Sequence, residues 1–429
     1  MRFGWKDYLG TCFIISYGTR GICCAKSQLS VTQGERRGLG DKRCAVLILL
    51  LSMTSIFLTT PVTNAIDATR PCVLYAGTTS PGIVYSFEGG TRWETISPSL
   101  GWSVTSIVYY NETIYAAAIT HPSIYLSLGL VYKYDTGTAW SLVGTFGNQV
   151  CFLIEYKGDL YAGTANDTAR LYKYTGAESW DEVLEYSPWY GFRSAHVWND
   201  WLYLGDYYWN KFARWDGATF QDLGSYGGSC VYTLETYGDF LYGGCYNGSI
   251  YRIVYDPPKT TAIWSETACT YLWSLKAFNG FLYVGMDTDK TGEARLYRYD
   301  GVRFDLVWSI PKTPDYNEGI LSMETDGRYL YIGLGGQSIG YPLYMPANGT
   351  GQVFRTFDGT KFELISDILG TGVQTLCCAQ VPLSWVGGVC ILIDKSELPD
   401  PWIGLAAFLI GSTVTVSVVC VKYRKKKQT

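Results

Sequence analysis

The sequence predicts an all-β chain assembled from seven copies of one four-stranded unit. Two observations carry that reading. A Leu-Tyr-x-Gly core recurs at a near-constant interval, and short strand-like runs bounded by turn residues surround each copy. The core reads LYAG at Tyr75 and Tyr161, LYLG at Tyr203, LYGG at Tyr242, LYVG at Tyr283 and LYIG at Tyr331, with a weaker IYAA at Tyr115. These tyrosines are 40, 46, 42, 39, 41 and 48 residues apart. That is the length of one propeller blade, and self-similarity at such a period outranks local propensity.

The elements of a copy follow in order. A first strand begins nine residues before the tyrosine, at Ser106-Ile107, Phe152-Leu153, Ser194-Ala195, Thr233-Leu234, Ser274-Leu275 and Ser322-Met323. A tight turn follows, clearest at Asn279-Gly280, where both residues tolerate positive φ. The tyrosine strand comes second. A third strand reads LYKYT (171–175), FARWD (212–216) or RLYRYD (295–300), and a fourth reads RFDLVW (303–308) or KFELIS (361–366). All are short, rich in aromatic and β-branched residues, and bounded by Gly, Asn and Asp. No long amphipathic helix interrupts residues 70–381.

The copy around Tyr75 lacks its first strand, because IDATRPC (66–72) has no strand character. GVQTLCCAQV (372–381) supplies the missing piece, with Thr375-Leu376 in the Ser-Leu slot. A ring must close without an exposed sheet edge. The expected fold is therefore a seven-bladed β-propeller over residues 66–381, closed by a C-terminal inner strand.

The blade order is similar to that of WD-repeat and Asp-box propellers. SFEGGTRW (86–93) keeps Ser86, Gly90 and Trp93 of the Asp-box pattern, with Glu88 for its Asp and Arg92 for its Thr; KYDTGTAW (133–140) keeps Asp135, Gly137 and Trp140. The Gly-His dipeptide of WD repeats is missing, and Trp-Asp occurs only at Trp180-Asp181 and Trp215-Asp216 rather than once per repeat. In the Asp-box family these turns are structural, so the resemblance implies a fold and no chemistry.

The ends suggest export. CAVLILLLSMTSIFL (44–58) follows Arg36, Arg37, Lys42 and Arg43 and precedes small residues at 63–65, so residues 44–65 read as a signal peptide or, uncleaved, an N-terminal anchor. Residues 1–43 are unassigned; a start codon called too far upstream would account for them. Residues 402–421 are uncharged and long enough to span a bilayer as one transmembrane helix. KYRKKK follows at once, so residues 422–429 are expected to be a cytoplasmic tail, with 382–401 as a juxtamembrane linker and the propeller outside. Acceptor triplets at Asn111, Asn166, Asn247 and Asn348 suit glycosylation. Eight cysteines between the apolar runs, Cys72, Cys151, Cys230, Cys245, Cys269, Cys377, Cys378 and Cys390, permit disulfides whose pairing is not legible.

Several chemistries are disfavoured. The net charge of −4 has no basic stripe for nucleic acid. The two histidines, His121 and His196, fall in different copies, so no metal site or cofactor is expected. DTDKTGE (287–293) places Asp287 and Asp289 as in a calcium loop, but Thr291 replaces a ligand and Arg298 stands at the twelfth position. A polar hairpin tip is the plainer reading, leaving Asp287 and Asp289 as a weak calcium candidate. Arg214, Arg252, Arg298 and Arg355 share one repeat slot with Lys133 and Lys173, which suits strand cations lying across aromatics rather than a sialidase arginine cluster.

The remaining functional signal is a loop face. YSPWYG (186–191) and DYYWNK (206–211) flank one blade and emerge on the same side, bringing together Trp189, Tyr190, Asp206, Tyr207, Tyr208 and Trp209. Neighbouring blades add Trp102, Tyr271, Asp315, Tyr316 and Asn317. Exposed aromatics beside amides and carboxylates suit an extracellular glycan or protein ligand. The expectation is a cell-surface binding or adhesion module. An extracellular glycoside hydrolase or lyase, of sialidase-like form, is the alternative, and a structural cell-envelope component is the third reading.

Overall fold

A computed structural model describes residues 72–380, apart from 91, 124–125, 210, 226–229, 268, 270, 289–292, 312–317 and 337–348. The expected signal segment, linker, membrane span and basic tail lie outside the described residues. So do Asp289, Asp315, Tyr316, Asn317, Asn348 and Cys390. No helix among the described residues is long and apolar enough to cross a membrane.

The described residues form antiparallel four-stranded sheets. β1 (Cys72–Gly82), β2 (Val84–Phe87) and β3 (Glu94–Thr95) begin the first. The second holds β4 (Gly101–Tyr110), β5 (Thr113–Ile119), β6 (Gly129–Thr136) and β7 (Ala139–Phe146). The third holds β8 (Gln149–Tyr156), β9 (Asp159–Ala165), β10 (Ala169–Gly176) and β11 (Ser179–Tyr186). β12 (Phe192–Trp198), β13 (Trp201–Asp206), β14 (Lys211–Trp215) and β15 (Phe220–Ser225) make the fourth. β16 (Val231–Tyr237), β17 (Phe240–Cys245), β18 (Ser249–Val254) and β19 (Lys259–Ser265) make the fifth. β20 (Leu272–Phe278), β21 (Phe281–Asp287), β22 (Ala294–Tyr299) and β23 (Phe304–Ile310) make the sixth. β24 (Gly319–Thr325), β25 (Leu330–Gly335), β26 (Val353–Thr356) and β27 (Glu363–Leu364) make the seventh. The last strand, β28 (Gly372–Gln380), pairs with β1 and completes the first sheet.

The first strands of successive sheets neighbour one another in turn, from β4 through β8, β12, β16, β20 and β24 to β28, and β28 adjoins β4. The circle is closed, and the arrangement is that of a β-propeller. β28 is the inner strand that the front of the repeat lacks. A disulfide between Cys72 and Cys378, with Cα atoms 5.7 Å apart, ties it to β1.

The repeat residues turn out to be joints between blades. A Cβ on Gly285 would lie 2.4 Å from Ile320 of the next inner strand, and one on Gly333 would lie 2.7 Å from Val373. A side chain there would crowd the next blade, which explains the glycine two residues after six of the seven core tyrosines; the Tyr115 copy carries the small Ala117 instead. The Ser of the Ser-Leu slot joins the same neighbours: Ser194 Oγ donates to the Val231 carbonyl at 2.8 Å, Ser274 to Ile320 at 3.0 Å and Ser322 to Val373 at 2.8 Å. At the outer strands, Trp93, Trp140 and Trp180 donate their indole N–H to carbonyls of Ile365, Ile96 and Val143 of the preceding blade. The Asp-box-like tryptophans are latches.

The four strand arginines behave as expected, whereas Lys173 in the same slot pairs with Asp159 at 2.7 Å. Arg214, Arg252, Arg298 and Arg355 pair across strands with Tyr203, Tyr242, Tyr283 and Tyr331. Their guanidinium groups lie 4.3–4.8 Å from the rings of Trp201, Phe240, Phe281 and Tyr329. Asn279 and Gly280 adopt φ of 47° and 76°, as the hairpin turn demands.

Candidate functional site at one end of the inner strands

Antiparallel pairing sets the loops that follow β11 and β13 at one end of the fourth blade, because Phe192 at the start of β12 faces Asp206 at the end of β13. The predicted aromatic face divides there. Trp189 is a correction to that expectation. Its indole is 0% exposed and packs edge-on against Tyr186, Phe192 and Phe220. A large apolar ring beside other core aromatics gains more from burial than from solvent. Asp206 is also buried, and its carboxylate accepts the Trp209 backbone N–H. Burial raises its pKa to about 6 against the opposing pull of the Trp209, Tyr208 and Tyr207 backbone N–H groups. It shapes the loop rather than facing a ligand.

The other members remain together at the surface. Tyr208 is 43% and Trp209 50% exposed, with their rings 4.8 Å apart. Tyr190 bridges from Tyr208 to Tyr207, at 5.9 Å and 6.2 Å. The row is continued by residues that carry no motif and that the sequence does not single out.

Those residues sit on a repeated irregularity. Every inner strand carries a β-bulge just before its Ser-Leu slot, leaving one residue without a cross-strand partner. Bulges re-aim a side chain out of the regular pleat. The bulged residues are Thr105, Cys151, Arg193, Tyr232, Trp273, Leu321 and Gln374. Three in successive blades form a cluster. The Arg193 guanidinium lies 5.0 Å from the Tyr232 ring, and Tyr232 lies 4.6 Å from Trp273. Tyr271 stacks on Trp273 at 4.9 Å and meets Tyr246 edge-on at 4.7 Å. All five are only partly buried.

Asp287 braces this cluster. It accepts the Trp273 indole N–H at 2.8 Å and the Tyr271 backbone N–H at 3.1 Å. Asp287 is 2% exposed, and Asp289, the other half of the calcium candidate, lies outside the described residues. No group of three or more potential metal ligands occurs among the described residues. Asn111 and Asn247 are exposed, whereas Asn166 is half-buried.

Three residues further along the inner strands, about 10 Å at strand rise, lies a second layer. Its members pair with the repeat tyrosines: His196 with Tyr203, Glu235 with Tyr242, Lys276 with Tyr283, Glu324 with Tyr331 and Cys377 with Tyr75. Lys276 lies 2.7 Å from Glu324 and 4.0 Å from Glu235. Burial pushes Glu235 up to about 7, although Lys276 opposes the shift. Burial, then Lys276, lowers His196 to about 4. Burial also works against the Lys276 ammonium, but Glu324 and Glu235 outweigh it and hold that pKa above the usual lysine value.

No family model matches the chain, and no curated protein matches its sequence. Among solved structures it is similar to two proteins named as candidate 6-phosphogluconolactonases. One, from Bacteroides uniformis ATCC 8492, shares 13% identity over 72% of this chain and 100% of its own, with a TM-score of 0.52. The other, from Bacteroides fragilis NCTC 9343, shares 10% over 74% and 99%, with a TM-score of 0.50. At such identities the likeness concerns the propeller fold alone.

Proposed function

We propose that the chain is an exported, single-pass membrane protein that displays its propeller outside the cell as a binding module for a glycan or protein ligand. The carrying observation is the partly exposed Tyr232–Trp273–Tyr271 cluster, with Tyr232 and Trp273 on bulges of adjacent blades and Asp287 bracing it. Rigid rings with polar edges offer stacking and orientation at low entropic cost. Export is supported by the apolar runs at 44–58 and 402–421 and by the basic residues after the second. The Cys72–Cys378 bridge suits an oxidising compartment.

A glycan array and a panel of extracellular proteins, probed with the full-length chain, test this reading. Trp273→Ala is expected to weaken the retained ligand tenfold or more, the loss typical of a central aromatic anchor. Protease added to intact cells should remove the propeller and spare a C-terminal tag. Binding unchanged in Trp273→Ala refutes the site, and a protected propeller refutes the topology.

One observation favours a second reading, a glycoside hydrolase or lyase. Glu235, pushed up to about 7, holds its proton in the range useful to a general acid. Against this, Lys276 stands between Glu235 and Glu324, the place a glycosidic bond would need between two facing carboxylates. Polysaccharide cleavage that disappears in Glu235→Gln would decide for the enzyme.

A further inference from the structure

Arg193 is set apart from the described arginines that form ion pairs. Arg170, Arg295, Arg303 and Arg355 each lie within 4.0 Å of a carboxylate. Arg193 has no ion pair and no hydrogen bond to its guanidinium among the described residues. Its surroundings are Cys151, Cys230, Tyr232 and Tyr207, all uncharged at neutral pH. Burial drives both thiols further from ionisation, Cys151 to about 11. Asp206 accepts the Trp209 backbone N–H through one oxygen and forms no ion pair with Arg193. Arg214, Arg252 and Arg298 also lack an ion pair among the described residues, but each lies across an aromatic of its own blade in the repeat slot. Arg193 stands outside that slot, on a bulge, where a partly desolvated cation without a counter-charge is unfavourable.

Resting on the binding-module reading of this cluster, we propose that the ligand is an acidic saccharide whose anionic group is held by Arg193. A guanidinium presents a planar fork that matches a carboxylate with two parallel hydrogen bonds. The Tyr232 ring already lies 5.0 Å from that fork. Trp273 lies next along the layer, 4.6 Å from Tyr232. A sugar residue carrying a carboxylate presents the matching pair of features, a charged edge and an apolar C–H face. Its anion supplies the counter-charge that the protein omits.

Calorimetric titration of the full-length protein with trigalacturonate, and with the same trisaccharide after reduction of its carboxylates to alcohols, tests the assignment. A sulfated galactose trisaccharide separates carboxylate from sulfate ester as the source of the anion. The acidic form is expected to bind at least tenfold more tightly than the reduced form, and the gap should narrow as salt rises. Arg193→Gln should bring trigalacturonate down to the level of the reduced sugar and leave the reduced sugar unchanged. Arg193→Met should melt no lower than the parent, because it removes an uncompensated charge; a melt well below the parent would make Arg193 a packing residue and overturn the proposal. Equal affinity for the acidic and reduced forms, or an equal loss for both in Arg193→Gln, overturns it too. Binding of neutral sugars that depends on Trp273 but not Arg193 would leave the binding module standing and remove only the acidic ligand. Failure of every saccharide to bind would remove the acidic ligand and, with no protein ligand either, the module.

Discussion

Closure of the ring rests on β28 and the bridge from Cys378 to Cys72, and both can be removed separately. The bridge spans 306 residues of chain. In the chain-entropy treatment a loop of that length stabilises the fold by about 5–6 kcal/mol at 25 °C, because it restrains the unfolded ensemble. With a guanidinium slope of about 5–6 kcal/mol per molar, that is a midpoint shift on the order of 1 M. The β1–β28 ladder survives reduction, so Cys378→Ser should still fold, with a midpoint lower by about that amount. Cys377 provides the internal control. It pairs with Tyr75 and is not in the bridge, so Cys377→Ser should keep the disulfide and most of the stability. Ending the chain at Asp367 goes further, deleting the buried Val373, Leu376 and Ala379 and leaving β1 with an open edge. That variant should aggregate, while one ending at Asp394 should melt cooperatively. Guanidinium melts with and without reductant read all four. Equal midpoints for Cys378→Ser and the parent would refute the bridge, and equal melts for the two truncations would refute the closure.

The inner layer predicts opposed pH effects. Glu235 binds a proton more tightly folded than unfolded, so its contribution to stability declines as pH rises from about 4.5 to about 7. Glu235→Gln should therefore gain on the parent above pH 7, by at most about 3 kcal/mol; no gain at pH 8 would show that Lys276 fully compensates the charge. His196 is neutral when folded, so its contribution holds above pH 6.5 and is lost as pH falls toward 4. His196→Gln should flatten the stability profile over that window. Trp189→Ala should cost about 3–5 kcal/mol, as loss of a fully buried indole does, while Trp209→Ala should cost under about 1 kcal/mol; thermal melts of the two variants check the ranking.

What was legible in the sequence is what every blade must repeat. A side chain at the core glycine would collide with the next inner strand, so the glycine recurs, as at Gly285 and Gly333. The strand arginines recur because each lies across an aromatic two residues before the tyrosine, as Arg298 does over Phe281. The closing strand was legible because one repeat lacked a piece that another stretch possessed. The cluster at the bulges was hidden for the converse reason. Arg193, Tyr232 and Trp273 occupy a slot filled elsewhere by Thr105, Cys151, Leu321 and Gln374. A slot that varies leaves no period to find. One signal was available: each precedes the Ser or Thr of its Ser-Leu pair, so variation at a fixed offset from the repeat marks it. Trp189 misled because a Pro-Trp-Tyr-Gly loop looks like an exposed platform, and only the packing of Phe192 and Phe220 shows the indole turned inward.

The two layers along the inner strands differ in how their charges are settled, and that difference separates scaffold from recognition. In the deeper layer Lys276 meets Glu324 and Glu235 from the blades on either side, so its charges are answered within the protein. Such a set ties three blades together and has little left to offer a ligand. In the bulge layer Arg193 has no ion pair among the described residues, and Cys151, Cys230 and Tyr232 are its neighbours. A bulge costs a ladder hydrogen bond and turns one residue out of the pleat, a cost that packing alone does not require seven times at one register. What it gains is a ring of positions whose identities are independent of the blade joints, because the glycine and the hydroxyl that make those joints lie on the regular pleat. The same strand can then hold the ring closed and present different chemistry from blade to blade. The unanswered charge at Arg193 is where that freedom has been used.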